Sequence, residues 1–364
     1  MDNYKYRAIA AWAKRYIEDN ALAAGDRFYS ETELCRIHNV SRQTVRQALA
    51  VLERQNVLTK RRGSGTFVQT TKQQRVRIMP TVGVIATYFS DYIFPSIVTG
   101  IESELAKNDV AMQLAATHNH VAEETRALQA MLAQEIDGLI VEPCKSGLPN
   151  PNTALYDEIR ARGIPLIFFN AKYPQMDFPL IAMDDKEAGR IAAEHLISLG
   201  HEKVAALLVF DDYQGQLRYK GYLDALMAHH LPLSEGRILW FSTDEWDSLF
   251  TVSKERVLSL LSGATAVLCY NDKLAAALVD FCKKEGILVP DGLSVAGIDD
   301  SSLAERCEVP LTSVTHPKQK LGEKAAALLL EMIRGGTQNE KGYLYRPRLV
   351  IRRSTAEPAK CRTG

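Results

Sequence analysis

The chain has 364 residues, 46% of them hydrophobic and 24% charged, which is ordinary for a globular protein and long for a single domain. Basic and acidic residues balance at 44 each, yet residues 1–77 hold 15 basic against 7 acidic, and the remainder holds 29 against 37. A basic front on an acidic body is the footprint of a nucleic-acid-binding module joined to something else. The six cysteines are scattered without a Cys-x-x-Cys pair, which argues for reduced thiols and against a disulfide or zinc framework. No run of 18 apolar residues occurs and the first residues form no apolar signal region, so a cytoplasmic protein with no membrane partner is expected.

In chain order, Tyr6, Ile9, Ala10, Ala13 and Ile17 recur at helical spacing and predict a first amphipathic helix ending near Asn20. Ser30 with Glu33 three residues on forms a capping box, and Ser41 caps the next helix after the short His38-Asn39 turn. This is a helix-turn-helix. Val45, Ala48, Leu49 and Leu52 form the core stripe of its second helix and leave Arg42, Gln43, Thr44, Arg46 and Gln47 on the outer face. That is the part of a recognition helix that meets base edges in a major groove. Two short apolar runs, Asn56–Thr59 and Thr66–Val68, flank Lys60-Arg61-Arg62-Gly63-Ser64-Gly65 and predict a β-hairpin with a basic glycine tip suited to phosphates. The expected DNA-binding set is Glu31, Thr32, Ser41, Arg42, Gln43, Thr44, Arg46, Lys60, Arg61, Arg62, Gly63, Ser64 and Gly65.

The segment from about Tyr4 to Val68 resembles the winged helix-turn-helix of the GntR family of bacterial regulators. The resemblance rests on Ser30-Glu31, on Val40-Ser41-Arg42-Gln43-Thr44-Val45-Arg46 and on Gly63-Ser64-Gly65-Thr66-Phe67-Val68. One departure stands out. Tyr29 precedes the Ser-Glu pair where that family usually has proline. The DNA-binding domain is assigned to residues 1–70 and a polar linker to 71–79.

From Thr81 the texture changes to near-continuous apolar runs of strand length alternating with helical patterns. Strands are predicted at Thr81–Tyr88, Val110–Ala116, Gly138–Glu142, Ile164–Asn170, Val204–Phe210, Arg237–Phe241, Ala266–Tyr270 and Leu293–Gly297, with a short run at Leu180–Met183. A helix carrying Ile97, Ile101 and Leu105 follows the first strand; others are predicted at 121–134, 153–162, 186–199, 214–229, 247–262, 272–285 and 317–334. The fold class is therefore α/β: a winged helix-turn-helix followed, over residues 80–364, by parallel sheets in two lobes.

Ligands of open parallel sheets bind beyond the carboxyl ends of strands. The residues found there include Tyr88, Phe94, Glu142, Lys145, Asn170, Asp184-Asp185, Gln214, Arg218, Asn271-Asp272 and Asp299-Asp300. Carboxylates, amides, one arginine and aromatics suit vicinal hydroxyls and the C–H face of a sugar ring. Asp185, Gln214 and Asp272 serve equally well as helix caps.

Residues from about Pro80 to Ser354 resemble the sensor half of the LacI/GalR family. The match runs through Val82–Ile85, Gly100–Glu102, Ile136–Val141, Ala193–His201, Gln214-Gly215 with Arg218 and Gly221, Cys269–Asp272, Gly297–Asp300 and Leu311–Val314. With Tyr92–Ile97, Glu142-Pro143, Lys145-Ser146 and Val314–Lys318, the whole is similar to the arabinose-responsive repressors. That similarity implies a sugar cleft between two lobes, with crossovers near Asp184–Asp185, Asp300–Leu311 and 335–343. It also implies ligand roles for Phe94, Glu142, Asn170, Arg218, Asn271, Asp299 and His316, with His316 at the returning crossover; Tyr88 and Lys145, from the strand ends, complete the expected ligand set.

No Gly-x-x-x-x-Gly-Lys-Ser/Thr, His-Glu-x-x-His or Gly-x-Ser-x-Gly motif is present, which speaks against an enzyme. A transport binding protein would share the body but not the DNA-binding head. The expectation is a homodimeric repressor that binds double-stranded operator DNA and is released by L-arabinose, with no cofactor and no metal. The alternative is the same architecture answering another sugar or small effector.

Overall fold

The computed structural model describes residues 5–20, 22–54, 57–61, 64–69, 79–335 and 342–359. Arg62, Gly63 and the linker at 71–78 lie outside them. The chain forms two compact units, Met1–Ile78 and Met79–Gly364.

In the first unit α1 (Lys5–Asp19), α2 (Glu31–His38) and α3 (Arg42–Arg54) close over a core that includes Ala13, Ile17, Leu34, Val45, Leu49 and Leu52. Ser30 and Glu33 form the expected capping box, and Asn39 leaves α2 in the left-handed conformation that asparagine tolerates. The Ser41 hydroxyl accepts from the Thr44 amide at 3.3 Å to open α3. The wing is β2 (Leu58–Arg61) paired antiparallel with β3 (Gly65–Val68). A third strand, β1 (Arg27–Phe28), pairs with β3 and was not foreseen. Two residues are too short to carry a period. Tyr29 is held by its own contacts: its ring packs at 5.2 to 6.0 Å from Tyr16, Phe28 and Trp12, and its hydroxyl donates to the Tyr16 hydroxyl at 2.7 Å.

The second unit holds two six-stranded sheets. The near-lobe strands are β4 (Thr81–Ala86), β5 (Ala111–Ala116), β6 (Gly138–Val141), β7 (Leu166–Phe169), β8 (Leu180–Met183) and β14 (Gly342–Tyr345), all parallel. Helices α4 (Phe94–Ala106), α5 (Val121–Ala133), α6 (Thr153–Ala161) and α12 (Lys318–Ile333) belong with them. The far-lobe strands are β9 (Val204–Val209), β10 (Ile238–Phe241), β11 (Ala266–Cys269), β12 (Ser294–Asp299), β13 (Thr312–Thr315) and β15 (Leu349–Val350). The far-lobe helices are α7 (Asp185–Ser198), α8 (Tyr213–Ala228), α9 (Lys254–Leu261), α10 (Asp272–Lys284) and α11 (Ser302–Arg306). The two-lobed parallel α/β architecture is as expected, except that edge strand β15 runs antiparallel to β13.

The crossovers correct two expectations. The chain passes between lobes after β8 at Asp184, as foreseen. It returns at His316-Pro317, after β13, and not within Asp300–Leu311, where α11 stays in the far lobe. The third passage is at 346–348, after β14, and not at 335–343. Both errors follow from unread strands, since Thr312-Ser313-Val314-Thr315 has a single large apolar residue and Gly342-Tyr343-Leu344-Tyr345 is a four-residue edge strand. The helix predicted at 247–262 shortens to α9, with a 3-10 turn at Thr243–Ser248 before it.

Each lobe has one close helix crossing made by facing glycines. A Cβ on Gly100 of α4 would sit 2.1 Å from the Gln319 carbonyl of α12, and one on Gly322 2.1 Å from that of Ile97. In the far lobe Gly189 and Gly221 do the same for α7 and α8.

Candidate functional site: a polar cleft and a DNA-facing helix

The carboxyl ends of both sheets open onto one cleft of about 380 Å3. Tyr88, Phe94, Glu142, Lys145, Asn170, Arg218, Asn271 and Asp299 all line it. His316 does not. It sits buried at the returning crossover with neither ring nitrogen partnered, and burial pushes it down to about 4, so it is a neutral imidazole behind the cleft.

Arg218, on α8, is the most constrained member, only 1% exposed. Its Nε donates to Asp185 Oδ1 at 2.9 Å, one terminal nitrogen to the Tyr270 carbonyl at 2.6 Å, and the other reaches Asp299 Oδ1 at 3.4 Å. Its guanidinium also lies over the Tyr270 ring at 4.7 Å. Burial disfavours its charge, but the carboxylates of Asp185 and Asp299 outweigh that and hold it protonated. Asp185 is thus a site residue that sequence reasoning left open between ligand and cap. It is neither: Asp184 caps α7, and Asp185 anchors Arg218. Asn271 lines the cleft and also caps α10, its Oδ1 accepting from the Leu274 amide at 3.0 Å.

On the near-lobe side Glu142 accepts from the Thr87 amide at 3.0 Å, from the Thr87 hydroxyl and from Asn170 Nδ2 at 2.7 Å. Burial pushes its carboxyl up to about 7. The Asn170 Oδ1 is buried without a partner in the cleft wall, an acceptor suited to a ligand hydroxyl. Tyr88 packs on Phe94 at a centroid distance of 5.8 Å and is 41% exposed at the mouth.

Tyr92 was missed. It crosses the cleft from the near lobe, donates to Asp299 Oδ2 at 2.7 Å and accepts from the Asp272 amide at 3.2 Å. Its φ of 61° is in the left-handed region, a conformation that only surrounding contacts hold for such a residue. Its place in a loop gave no period to find it by. Asp91 pairs with Lys273 beside it at 2.8 Å. On the opposite rim Asn119 Nδ2 donates to the Thr243 hydroxyl at 2.8 Å and Ser146 Oγ to Asp212 Oδ1 at 2.8 Å, while Lys145 Nζ pairs with Asp244. The near and far lobes are therefore bridged on both sides of the cleft.

In the first unit Glu31, Thr32, Ser41, Arg42, Gln43, Arg46, Lys60, Arg61, Ser64 and Gly65 are at least partly accessible. Thr44 is not. Its side chain is buried, with its hydroxyl 2.9 Å from that of Ser41, so it braces the start of α3 instead of facing outward. Glu31 joins Arg46 at 3.1 Å and also Lys60, tying α2, α3 and the wing together. Hydrogen bonds from Lys60 chiefly, then Arg46, hold its carboxyl below the usual range. Arg61 lies over the Phe67 ring at 4.9 Å.

Winged helix-turn-helix and two-lobed cleft together define a transcription regulator with a small-molecule sensor, not an enzyme. Residues 5–68 match the bacterial regulatory proteins of the gntR family, and residues 193–355 match the periplasmic binding protein-like domain. The chain is 36% identical to the arabinose metabolism transcriptional repressor of Geobacillus stearothermophilus over 97% of this chain and 98% of that one. It is also 36% identical to the repressor of the same name from Halalkalibacterium halodurans, over 99% and 98%. The chain belongs to this family of arabinose metabolism transcriptional repressors. Among solved structures, a transcriptional regulator CelR–cellobiose complex superposes with a TM-score of 0.67 at 23% identity, covering 88% of this chain and 94% of that one. That likeness concerns the fold. Among the described residues, no helix is long and apolar enough to cross a membrane and no group of three or more His, Cys, Asp or Glu is arranged to hold a metal ion.

Proposed function

We propose that the chain is a repressor whose effector is L-arabinose, bound in the cleft, and that the sugar releases it from operator DNA. The observation that carries this reading is the convergence of a buried arginine, two carboxylates and an orphaned amide oxygen with an aromatic pair on one cleft of about 380 Å3. That volume is near the lower end of the roughly 300–1,000 Å3 typical of small-molecule sites. Arg218 and Asp299 of the far lobe, with Glu142 and Asn170 of the near lobe, hold the hydroxyls; Tyr88 and Phe94 cover the ring. Lys145 and Asn271 border the site, and His316 acts from behind it. The repressor works as a homodimer on near-palindromic operator DNA inside the cytoplasm, and it needs no cofactor or metal. Arg42, Gln43 and Arg46 meet base edges, and Lys60, Arg61 and Arg62 meet phosphates around the 63–65 wing tip. Operator and sugar each weaken the other's binding by one coupling free energy, typically about 1–3 kcal/mol.

Melting of the full chain with a panel of pentoses, hexoses and purines tests the effector, since a ligand at 100 times its Kd adds about 2.7 kcal/mol to the folded state. L-arabinose alone should raise the transition and, in a parallel gel-shift titration, lower operator affinity. Stabilisation by a different compound, with arabinose inert, would transfer the reading to that effector.

A further inference from the structure

Behind the near-lobe wall lies a buried carboxylate that the sugar cleft does not use. Glu124, on α5, has no accessible surface. Its Oε2 accepts from the Cys144 amide at 2.8 Å and lies 2.6 Å from the Tyr173 hydroxyl; its Oε1 accepts from Asn150 Nδ2 at 2.9 Å, Asn152 Nδ2 at 3.3 Å and the Tyr156 hydroxyl at 3.0 Å. A buried carboxylate is tolerated only with such complete hydrogen bonding. The donors come chiefly from the segment 143–152 between β6 and α6, which has no regular structure of its own for most of its length.

That segment reaches the far lobe. Ser146 Oγ donates to Asp212 Oδ1 and accepts from the Tyr213 amide at 3.0 Å, and the Gly147 amide donates to the Asp211 carbonyl at 3.0 Å. A Cβ on Gly147 would stand 2.6 Å from the Phe210 carbonyl, so backbone itself is docked there. Lys145 holds a left-handed φ of 42°, with its amide bonded to Asn119 Oδ1 at 2.9 Å. A loop in this shape needs a template, and Glu124 gathers it from the inside.

We propose that Glu124 is a positioning residue for the response to effector: it preforms the 143–152 loop so that the loop can clasp the far lobe when the cleft closes on sugar. This rests on the cleft being the sugar site. Without the template, closure must also order the loop, and the ordering cost appears as lost sugar affinity. A residue that only stabilises the near lobe would lower the melting temperature and leave sugar affinity below that temperature unchanged.

The experiment is calorimetry of L-arabinose with the full chain, well below the melting transition, for wild type, Glu124→Gln, Tyr173→Phe, Ser146→Ala and the two double variants with Ser146→Ala. Gln at 124 sets an amide N–H2 against donors; Tyr173→Phe deletes one hydroxyl and is the fallback if Glu124→Gln does not fold. Each template variant should bind about tenfold or more weakly, with sugar-free operator affinity unchanged. In the Ser146→Ala background the same changes should cost clearly less than in wild type, because the Ser146 part of the clasp is already lost. Unchanged sugar affinity in a folded template variant overturns the proposal. So do losses that multiply with that of Ser146→Ala. Failure of the wild type to bind any sugar sinks the reading of the cleft, and this proposal falls with it.

Discussion

Several of the contacts that bridge the cleft between the two lobes rest on single side chains. Asp299 is shared, one oxygen facing Arg218 and the other held by Tyr92 from across the cleft. Hydrogen bonds to charged groups contribute about 1.5–3 kcal/mol each. Tyr92→Phe removes one that exists only with the lobes together, so sugar affinity should fall about tenfold in calorimetry while operator affinity without sugar holds; equal sugar affinity would show that Tyr92 is idle in closure. Arg218→Met should do more damage, because it leaves the Asp185 and Asp299 carboxylates buried and uncompensated. Removing one partner of a buried ion pair costs roughly 3–5 kcal/mol. Denaturant unfolding should register that loss in the sensor transition, and arabinose should no longer release operator at the concentration that suffices for wild type. An arabinose response at the wild-type concentration would take Arg218 out of the sugar site.

At the scale of elements, α3 and the wing are joined through Glu31, which holds Arg46 and Lys60 side by side. Such exposed pairs contribute little to stability, about 0–1 kcal/mol, so their use is to aim the cations. Lys60→Ala should reduce the slope of log affinity against log salt by about one and leave sequence preference alone, whereas Arg46→Ala should reduce preference at one base pair by about 1–3 kcal/mol. Competition gel shifts at several salt concentrations separate the two outcomes. In the sensor, Gly100→Ala forces α4 and α12 apart and should lower the midpoint of denaturation more than the 1–3 kcal/mol usual for overpacking, since the obstacle is backbone.

The elements that the sequence revealed were those with a strong period or a long apolar run. Thr81–Ala86 and Val204–Val209 are buried along nearly all of their length and announce themselves. Thr312–Thr315 is just as central but reads as polar, because Thr312 and Ser313 spend their hydroxyls inside the far lobe, on Thr355 and on Asp272. Missing it moved the returning crossover. Likewise the strand-end rule found the residues that line the cleft, but not which of them hold one another. Asp185, Tyr92 and Glu124 owe their importance to partners 33, 207 and 20 or more residues away, a relation no local pattern records.

Across the whole sensor, buried groups titrate in opposing senses. Burial raises Glu142, Asp185 and Asp272 to about 7, so their contribution is fully present below their ordinary carboxylate range and is lost as pH rises through about 7. His316, lowered to about 4, contributes above its ordinary range near 6.5 and loses it as pH falls toward 4. Between pH 4.5 and 7 the histidine term offsets part of the carboxylate terms. Glu142→Gln breaks the balance: relative to wild type, its stability should improve steadily as pH rises through that window. A difference between the two melting curves that stays constant with pH would mean that Glu142 does not titrate there.

The triple crossing has a consequence in time. The near lobe takes β4 to β8 from the first part of the sensor but α12 and β14 from residues 318–345, and the far lobe takes β15 from residues beyond those. The near lobe is complete only once Tyr345 has left the ribosome and the far lobe only after Val350, whereas the winged domain is finished by Val68. Most of synthesis therefore passes with a folded DNA-binding head attached to an unfinished sensor whose sheets lack edges and covering helices. Sheets of that kind expose apolar surface and unpaired strands. A chain broken off ahead of α12 would lack a helix and a strand of the near lobe and an edge strand of the far lobe, leaving a nascent or truncated repressor deaf to its effector.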